Sequence, residues 1–426
     1  LKGKPTDFLR TLYFSIIGLT DMPVRIGIIG KTNTGKTTFF NAATMLSGRI
    51  DKFPFTTKTP QRGVGYAKTL CVCRELGVKD DPKNSICING WRFIPIEVVD
   101  LPGLVKDAWK GKGLGNEFLS VAAQTDALIH MVDASGSVDA DGNIAEPGTG
   151  DPVQDFYDIE RELVMWIAKI IESKRKYVEK TIETRRDTLK GALASVLTGL
   201  RVKEEHVAQA LELSGTKSKA FHDWMEDDLL KFSETLRRIS KPSIVVANKM
   251  DIPIAEENYK RMVEALSPIP VIPASAEAEL ILRKAEKSGL ISYVPGEEIF
   301  QVADPSKLND KQKWALNYIR DRVLNRWWQT GVQFAINVLV FKVLRMNVVY
   351  PVEDEKRLSD KHGNVLPDAF LMPYDAMALD LANEIHTELG KTMLYAIDAR
   401  TGLRLPKDYK LRDRDIIKIV AASHRG

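Results

Sequence analysis

Val24-Arg25-Ile26-Gly27-Ile28-Ile29 leads without a break into Gly30-Lys31-Thr32-Asn33-Thr34-Gly35-Lys36-Thr37-Thr38. The first six residues read as a strand buried on both faces, and Gly30 to Thr37 fit the pattern G-x-x-x-x-G-K-[ST]. In a strand–loop–helix context this spacing predicts a loop whose backbone N–H groups curl around phosphate, with the following helix adding its N-terminal dipole. Lys36 is then placed to reach β- and γ-phosphate oxygens, and Thr37 to offer its hydroxyl to Mg²⁺. Gly30, Asn33, Thr34, Gly35 and Thr38 complete the expected phosphate cradle.

Apolar runs of strand length recur at Phe93 to Val99, Ala127 to Val132, Ser243 to Ala247 and Pro270 to Ile272, the pattern of a mostly parallel α/β sheet. Polar residues follow several of these runs at their carboxyl ends, where such sheets bind ligands. Asp100-Leu101-Pro102-Gly103 places a carboxylate where it can support the Mg²⁺ shell, and a glycine whose backbone N–H can meet the γ-phosphate. After the Ser243 run comes Asn248-Lys249-Met250-Asp251. The Asp251 carboxylate can accept from the N1–H and exocyclic amine of guanine, a donor pair that adenine lacks. Ser275-Ala276 closes the next strand, where backbone N–H groups can meet the guanine O6. Four motifs in order predict a P-loop α/β domain binding GTP or GDP with Mg²⁺.

The rest of the chain divides by composition. Residues 22–150 and 241–305 are assigned to the GTP-binding domain, with an antiparallel edge turning at Asn89-Gly90. Residues 151–240 are rich in helix formers, in runs such as Asp155 to Thr181 and Thr184 to Leu200, and read as an α-helical insertion. Residues 306–346 form a helical connection, and residues 347–426 return to short strands around a helix at Ala376 to Leu389. Residues 1–21 read as an N-terminal extension, with Met22 a candidate start. They place Lys2, Lys4 and Arg10 before an apolar stretch, yet have no small-x-small cleavage pattern.

Hydrophobic residues make up 44% and charged residues 28% of 426, which excludes disorder as the main state. A net charge of +4 is too small to announce nucleic-acid binding, so any basic patch must be local. Asn337 and Lys342 interrupt the apolar stretch Phe334 to Leu344, so no membrane partner is expected. Cys71, Cys73 and Cys87 have spacings that fit neither a zinc ribbon nor a disulfide framework, consistent with a reducing, cytoplasmic setting. Trp327-Trp328 are expected as packing anchors between domains, and His362 and His386 as structural or exposed.

Phe53-Pro54-Phe55-Thr56-Thr57, Asp100 to Lys106, Gly111 to Asn116 with Phe118-Leu119, and Val132-Asp133-Ala134-Ser135 together resemble the Obg superfamily of translation-factor-related GTPases. The likeness is strongest to its YchF-like branch. Asn364 to Phe370, Ala382 to His386, Tyr395 to Asp398 and Leu411 to Val420 are similar to the TGS domain of that branch, which implies a C-terminal β-grasp fold. The resemblance implies that Thr57, with Thr56 the alternative, closes on Mg²⁺ and the γ-phosphate, joining Lys36 and Gly103 in hydrolysis. It also implies K⁺ binding at Asn33. YchF proteins often lack the N-K-x-D signature and can prefer ATP, whereas Asn248, Lys249 and Asp251 are intact here, so GTP is expected. Leu104 stands where Ras-like enzymes place a water-orienting Gln, which implies slow intrinsic hydrolysis.

The same resemblance implies a ribosome or RNA partner, held through the TGS domain and the insertion. Residues 391–426 carry nine Lys or Arg against four Asp. Lys174, Arg175, Lys176, Lys180, Arg185, Arg186 and Lys190 form a second basic stretch, which two paired helices could display as an arm; the alternative is a solvated face. Competing readings are a constitutive RNA- or ribosome-binding module with incidental hydrolysis, and a YchF-type ATPase.

Overall fold

Two units divide the computed structural model, which describes residues 24–45, 60–103, 107–110 and 121–422. One holds 25–63 and 98–335; the other holds 64–97 and 336–426 together with 1–24. Thr57, Leu104 and the glycine-rich stretch 111–116 lie outside the described residues, as do residues 1–21.

The described residues open with β1 (Arg25–Ile29), α1 (Lys36–Thr44), β2 (Gln61–Leu70), α2 (Val72–Leu76), β3 (Ile86–Ile88), β4 (Trp91–Asp100) and β5 (Ala127–Asp133). Two further strands, β6 (Ser243–Asn248) and β7 (Val271–Pro273), complete a sheet of order β2-β4-β1-β5-β6-β7, with β3 on β4. β1 with β5, β5 with β6 and β6 with β7 pair in parallel, in registers such as Ile28 with Ile129 and Val246 with Ile272. Every residue of β1 and β5 is buried, which is why both read as near-continuous apolar runs rather than alternating ones, with His130 of β5 buried among them. β3 and β4 are antiparallel around Asn89 and Gly90, both at positive φ as a type I′ turn requires.

The insertion is five helices: α3 (Pro152–Ser173), α4 (Arg175–Glu183), α5 (Leu189–Val196), α6 (Glu204–Leu213) and α7 (Glu226–Ser240). The expected run Asp155 to Thr181 is broken at Lys174, and the second run begins only at Leu189, where the Thr188 side chain accepts from Gly191 N. Nor is the insertion a two-helix arm: Ile171, Leu193, Val207, Phe232 and Leu236 form a common buried core. Lys174, Lys176, Lys180, Arg185 and Arg186 remain exposed, while Lys190 pairs with Glu204.

Where the chain returns to the sheet, Lys241 Nζ donates to the Thr125 carbonyl at 2.6 Å. Burial pushes this ammonium down to about 8, with nearby Asp126 opposing the shift and Arg201 adding to it. Since the unfolded chain keeps its proton to near 10.5, the folded state binds fewer protons between these values and stability rises with pH there. Relative to Lys241→Met, the wild-type protein should gain up to about 1.4 kcal/mol per pH unit above pH 8, and nothing below it. Denaturant midpoints across that range measure the difference, and a flat difference would refute the assignment.

After α8 (Ala255–Ala265) and α9 (Ala276–Lys287), a two-stranded ribbon, β8 (Ile291–Ser292) with β9 (Gln301–Val302), precedes α10 (Asp310–Ile319). Trp327 packs edge-on to Tyr259 inside the first unit, whereas Trp328, at φ +66, is 69% exposed. The expected packing role therefore holds for Trp327, whose Nε1 also donates to Met250 O at 3.3 Å, and fails for Trp328.

The second unit carries a five-stranded sheet of its own, formed by β10 (Met346–Val352), β11 (Phe370–Pro373), β12 (Met393–Asp398), β13 (Arg404–Leu405) and β14 (Ile416–Ala421). Its order is β11-β10-β14-β12-β13, with β10 and β14 parallel. Leu381 of α11 (Ala378–Ile385) joins Val349, Met393 and Ile417 in its core. The helix expected over Ala376 to Leu389 is split at His386, whose Nδ1 accepts from Glu388 N to start α12 (Thr387–Thr392). Residues 64–97 group here rather than with the phosphate loop, through Asp81 N to Val365 O at 2.8 Å, Lys83 N to Pro367 O at 2.6 Å and Arg92 Nη2 to Leu366 O at 2.5 Å. Sequence spacing gave no hint of those bonds. Among the basic residues, Arg400 pairs with Glu75 and Lys418 with Glu355, while Lys407, Lys410 and Arg412 are exposed.

Candidate nucleotide site

A cavity of about 440 Å³ lies at the carboxyl ends of the parallel strands, lined by Asn33, Gly35, Lys36, Thr37 and Thr38 on one side and Asn248, Lys249, Asp251, Ser275 and Ala276 on the other. Gly30 follows β1 at the start of the loop, and Thr34 turns its hydroxyl inward to the Lys31 carbonyl at 3.0 Å. Gly35 adopts φ +94, and a Cβ there would stand 2.2 Å from Asn248 Nδ2, so the loop admits only glycine.

Lys36 is buried, with its Nζ donating to the Lys31 carbonyl at 2.5 Å. Burial lowers its pKa to about 8 and the Asp100 charge resists the change. Thr37 Oγ1 donates to Asp100 Oδ2 at 2.7 Å, and burial raises the Asp100 pKa. The other carboxylate oxygen, Asp100 Oδ1, is buried and has no hydrogen-bond partner among the described residues. A hydroxyl and a carboxylate with an unused oxygen are hard donors of the kind Mg²⁺ takes, directly or through water, so the residues present fit that ion. Gly103 approaches the phosphate loop so closely that a Cβ would lie 2.6 Å from Thr32 Cγ2.

Asn248 ties the two walls together. Its Nδ2 donates to the Thr34 carbonyl at 2.9 Å and its Oδ1 accepts from Ala276 N at 3.0 Å. Lys249, at φ +65, reaches the fully buried Asp133 at 2.9 Å, and Asp251 Oδ1 accepts from Ser275 Oγ at 2.7 Å. The backbone groups of Ser275 and Ala276 were expected to meet guanine O6, but here both N–H groups have protein acceptors. Ser275 N donates to Thr330 O at 2.8 Å and Ala276 N to Asn248 Oδ1, and in this arrangement the two residues, which line the cavity, also position Asp251 and Asn248.

Several participants are not apparent from the motifs alone. Thr32 Oγ1 and Asn33 Nδ2 both donate to Gly142 O, at 2.8 and 2.9 Å, and Asn33 sits at φ +60. Lys31 turns away from the cavity to the buried Asp155 at 2.6 Å and to Asp158. Thr330 and Asp133 hold the base-facing loops from behind; only Asp133 lies in a stretch with a sequence signal.

The fold and this cavity define a P-loop nucleotide-binding protein with a base-facing loop of the GTPase type. Residues 25–183 match the family model described as 50S ribosome-binding GTPase, residues 246–354 that of the Obg-like GTPase YGR210-like G4 motif-containing domain, and residues 362–421 the TGS domain. The chain is 45% identical over 399 residues to an uncharacterized GTP-binding protein of Methanocaldococcus jannaschii, spanning 93% of this chain and 99% of that protein. A crystal structure of a GTP binding protein from Pyrococcus horikoshii OT3 superposes with a TM-score of 0.74 at 38% identity, over 94% of this chain and all (100%) of that one. The ribosome-binding ATPase YchF of Bacillus subtilis is 30% identical over 65% of this chain and 69% of its own length. The chain belongs to the Obg-like, YchF-related family of P-loop GTP-binding proteins that carry a C-terminal TGS domain. Among the described residues no helix is long and apolar enough to cross a membrane.

Proposed function

We propose that this protein binds GTP in preference to ATP, hydrolyses it slowly to GDP and phosphate, and acts as a nucleotide-dependent switch on the ribosome or another RNA. The observation that carries the base preference is Asp251, whose carboxylate lines the same cavity as Lys36 and Thr37 and is oriented by Ser275. In this reading Lys36 holds the β- and γ-phosphate oxygens, Thr37 and Asp100 hold Mg²⁺, Thr57 and Gly103 sense the γ-phosphate, and Asn248 keeps the base loop against the phosphate loop. Bound Mg²⁺ supplies charge neutralisation between the β- and γ-phosphates. The exposed bases Lys176, Lys180, Arg185 and Arg186 on the insertion, and Lys407, Lys410 and Arg412 on the TGS domain, are the surfaces offered to RNA phosphate.

The test is a titration of the purified protein with labelled GTP, GDP and ATP in Mg²⁺, in KCl and in NaCl, following binding and turnover. Selective GTP binding with K⁺-stimulated turnover is expected, the latter from Asn33. Equal or tighter ATP binding would overturn the base assignment. RNA or ribosome affinity that falls with salt yet is identical with GDP and a GTP analogue would replace the switch by a constitutive binding module.

A further inference from the structure

We propose that Cys71, Cys73, Asp80 and Cys87 form a structural zinc site, which shares no residue with the nucleotide cavity. Their ligand atoms, three Sγ and one carboxylate oxygen, all lie within 4.8 Å of one another. Cys71 caps the start of α2 and Cys73 stands in its first turn; Asp80 follows in the next loop, and Cys87 belongs to β3 opposite Arg92. The Cys71 N–H donates to Gly90 O at 2.9 Å, which pins the start of α2 to the β3–β4 turn and brings the four groups together.

Two of the six spacings match the edges of a tetrahedron around zinc, and the others fall within 4.8 Å. With Zn–S near 2.3 Å and Zn–O near 2.0 Å, the edges of such a tetrahedron are roughly 3.8 Å for S···S and roughly 3.5 Å for S···O. Cys73 Sγ stands 3.8 Å from Cys87 Sγ, and Cys71 Sγ stands 3.3 Å from Asp80 Oδ2. Three sulfur ligands select a soft or borderline ion over Mg²⁺ or Ca²⁺. Cys71 and Cys73 are buried, Cys87 is half-buried and the Asp80 side chain is 11% exposed, so four protein ligands close the site as in structural rather than catalytic zinc centres.

A second layer supports the first. Arg92 is fully buried, with Nη1 3.6 Å from Asp80 Oδ2 and its guanidinium 5.3 Å from the centre of the Tyr350 ring. Three thiolates and a carboxylate around Zn²⁺ leave a net charge of −2, which a buried guanidinium offsets while orienting Asp80. Binding releases the thiol protons to solvent and forms three Zn–S bonds and one Zn–O bond, with no change of oxidation state.

The experiment uses the full chain purified without chelator. One zinc per chain by elemental analysis is expected, with Cys71→Ser and Cys87→Ser losing most of it while still binding nucleotide. Asp80→Asn keeps the shape and an oxygen donor but loses the charge, so it should bind Zn²⁺ more weakly by about tenfold or more. Co²⁺ added to stripped wild-type protein should give thiolate-to-metal charge-transfer absorption that is absent in Cys87→Ser, and chelation should unmask three thiols to a thiol reagent. Nucleotide-competent wild-type protein that takes up neither Zn²⁺ nor Co²⁺ would overturn the proposal. So would a mass two hydrogens lighter under non-reducing conditions in metal-free protein as isolated, since it would mark a Cys73–Cys87 disulfide in place of the metal.

Discussion

Asp251→Asn is expected to erase the preference for GTP over ATP. The substitution leaves the loop's frame intact, because Tyr318 Oη donates to the Asp251 backbone carbonyl at 3.2 Å and Asn248 holds the neighbouring turn. What changes is the face offered to the base. An amide cannot accept from both N1–H and the exocyclic amine, and two hydrogen bonds to a charged group are each worth about 1.5–3 kcal/mol. GTP affinity should therefore fall by about 10²- to 10⁴-fold with ATP affinity nearly unchanged, and xanthosine triphosphate, whose 2-oxo group accepts, should gain. Competition against a labelled nucleotide measures all three, and GTP-over-ATP selectivity that survives the change would refute the role given to Asp251.

Lys36→Ala should remove nucleotide binding more broadly, weakening GTP and ATP alike by about a thousandfold, the scale of losing one partner of a buried charge pair. The empty protein should not suffer in parallel. Burial already pulls the Lys36 ammonium down to about 8, so the folded state without nucleotide disfavours the charge that the variant removes. Thermal unfolding without nucleotide is expected to show an equal or higher midpoint, and only the stabilisation by added nucleotide should vanish. A lower midpoint without nucleotide would mean that the bond from Lys36 to the Lys31 carbonyl matters more to the fold than to the ligand.

The parallel strands were legible because a strand covered on both faces writes itself as a near-continuous apolar run, and β5 and β6 appear where such runs stand. The phosphate and base loops were legible for a related reason: each is a short local motif at the end of such a strand. Contacts between distant stretches had no such signature. Thr330, which takes the Ser275 N–H, is 55 residues downstream, and nothing in its neighbourhood marks it. The cysteines were misleading by spacing alone, because a five-residue helix and a hairpin, rather than two C-x-x-C knuckles, gather them around Asp80. Periodicity marks the helical insertion as a region but not its internal breaks, since the pattern runs through Lys174, where the backbone leaves the helix.

Asn248 bonds to Thr34 on one side and to Ala276 on the other, and so ties the loop that carries Lys36 to the loop proposed to read the base through Asp251. Attachment and discrimination are thus bolted to one strut yet written at separate positions. A lineage could change which base it reads by altering residue 251 alone and keep its hold on the phosphates, whereas loss of residue 248 would loosen both at once.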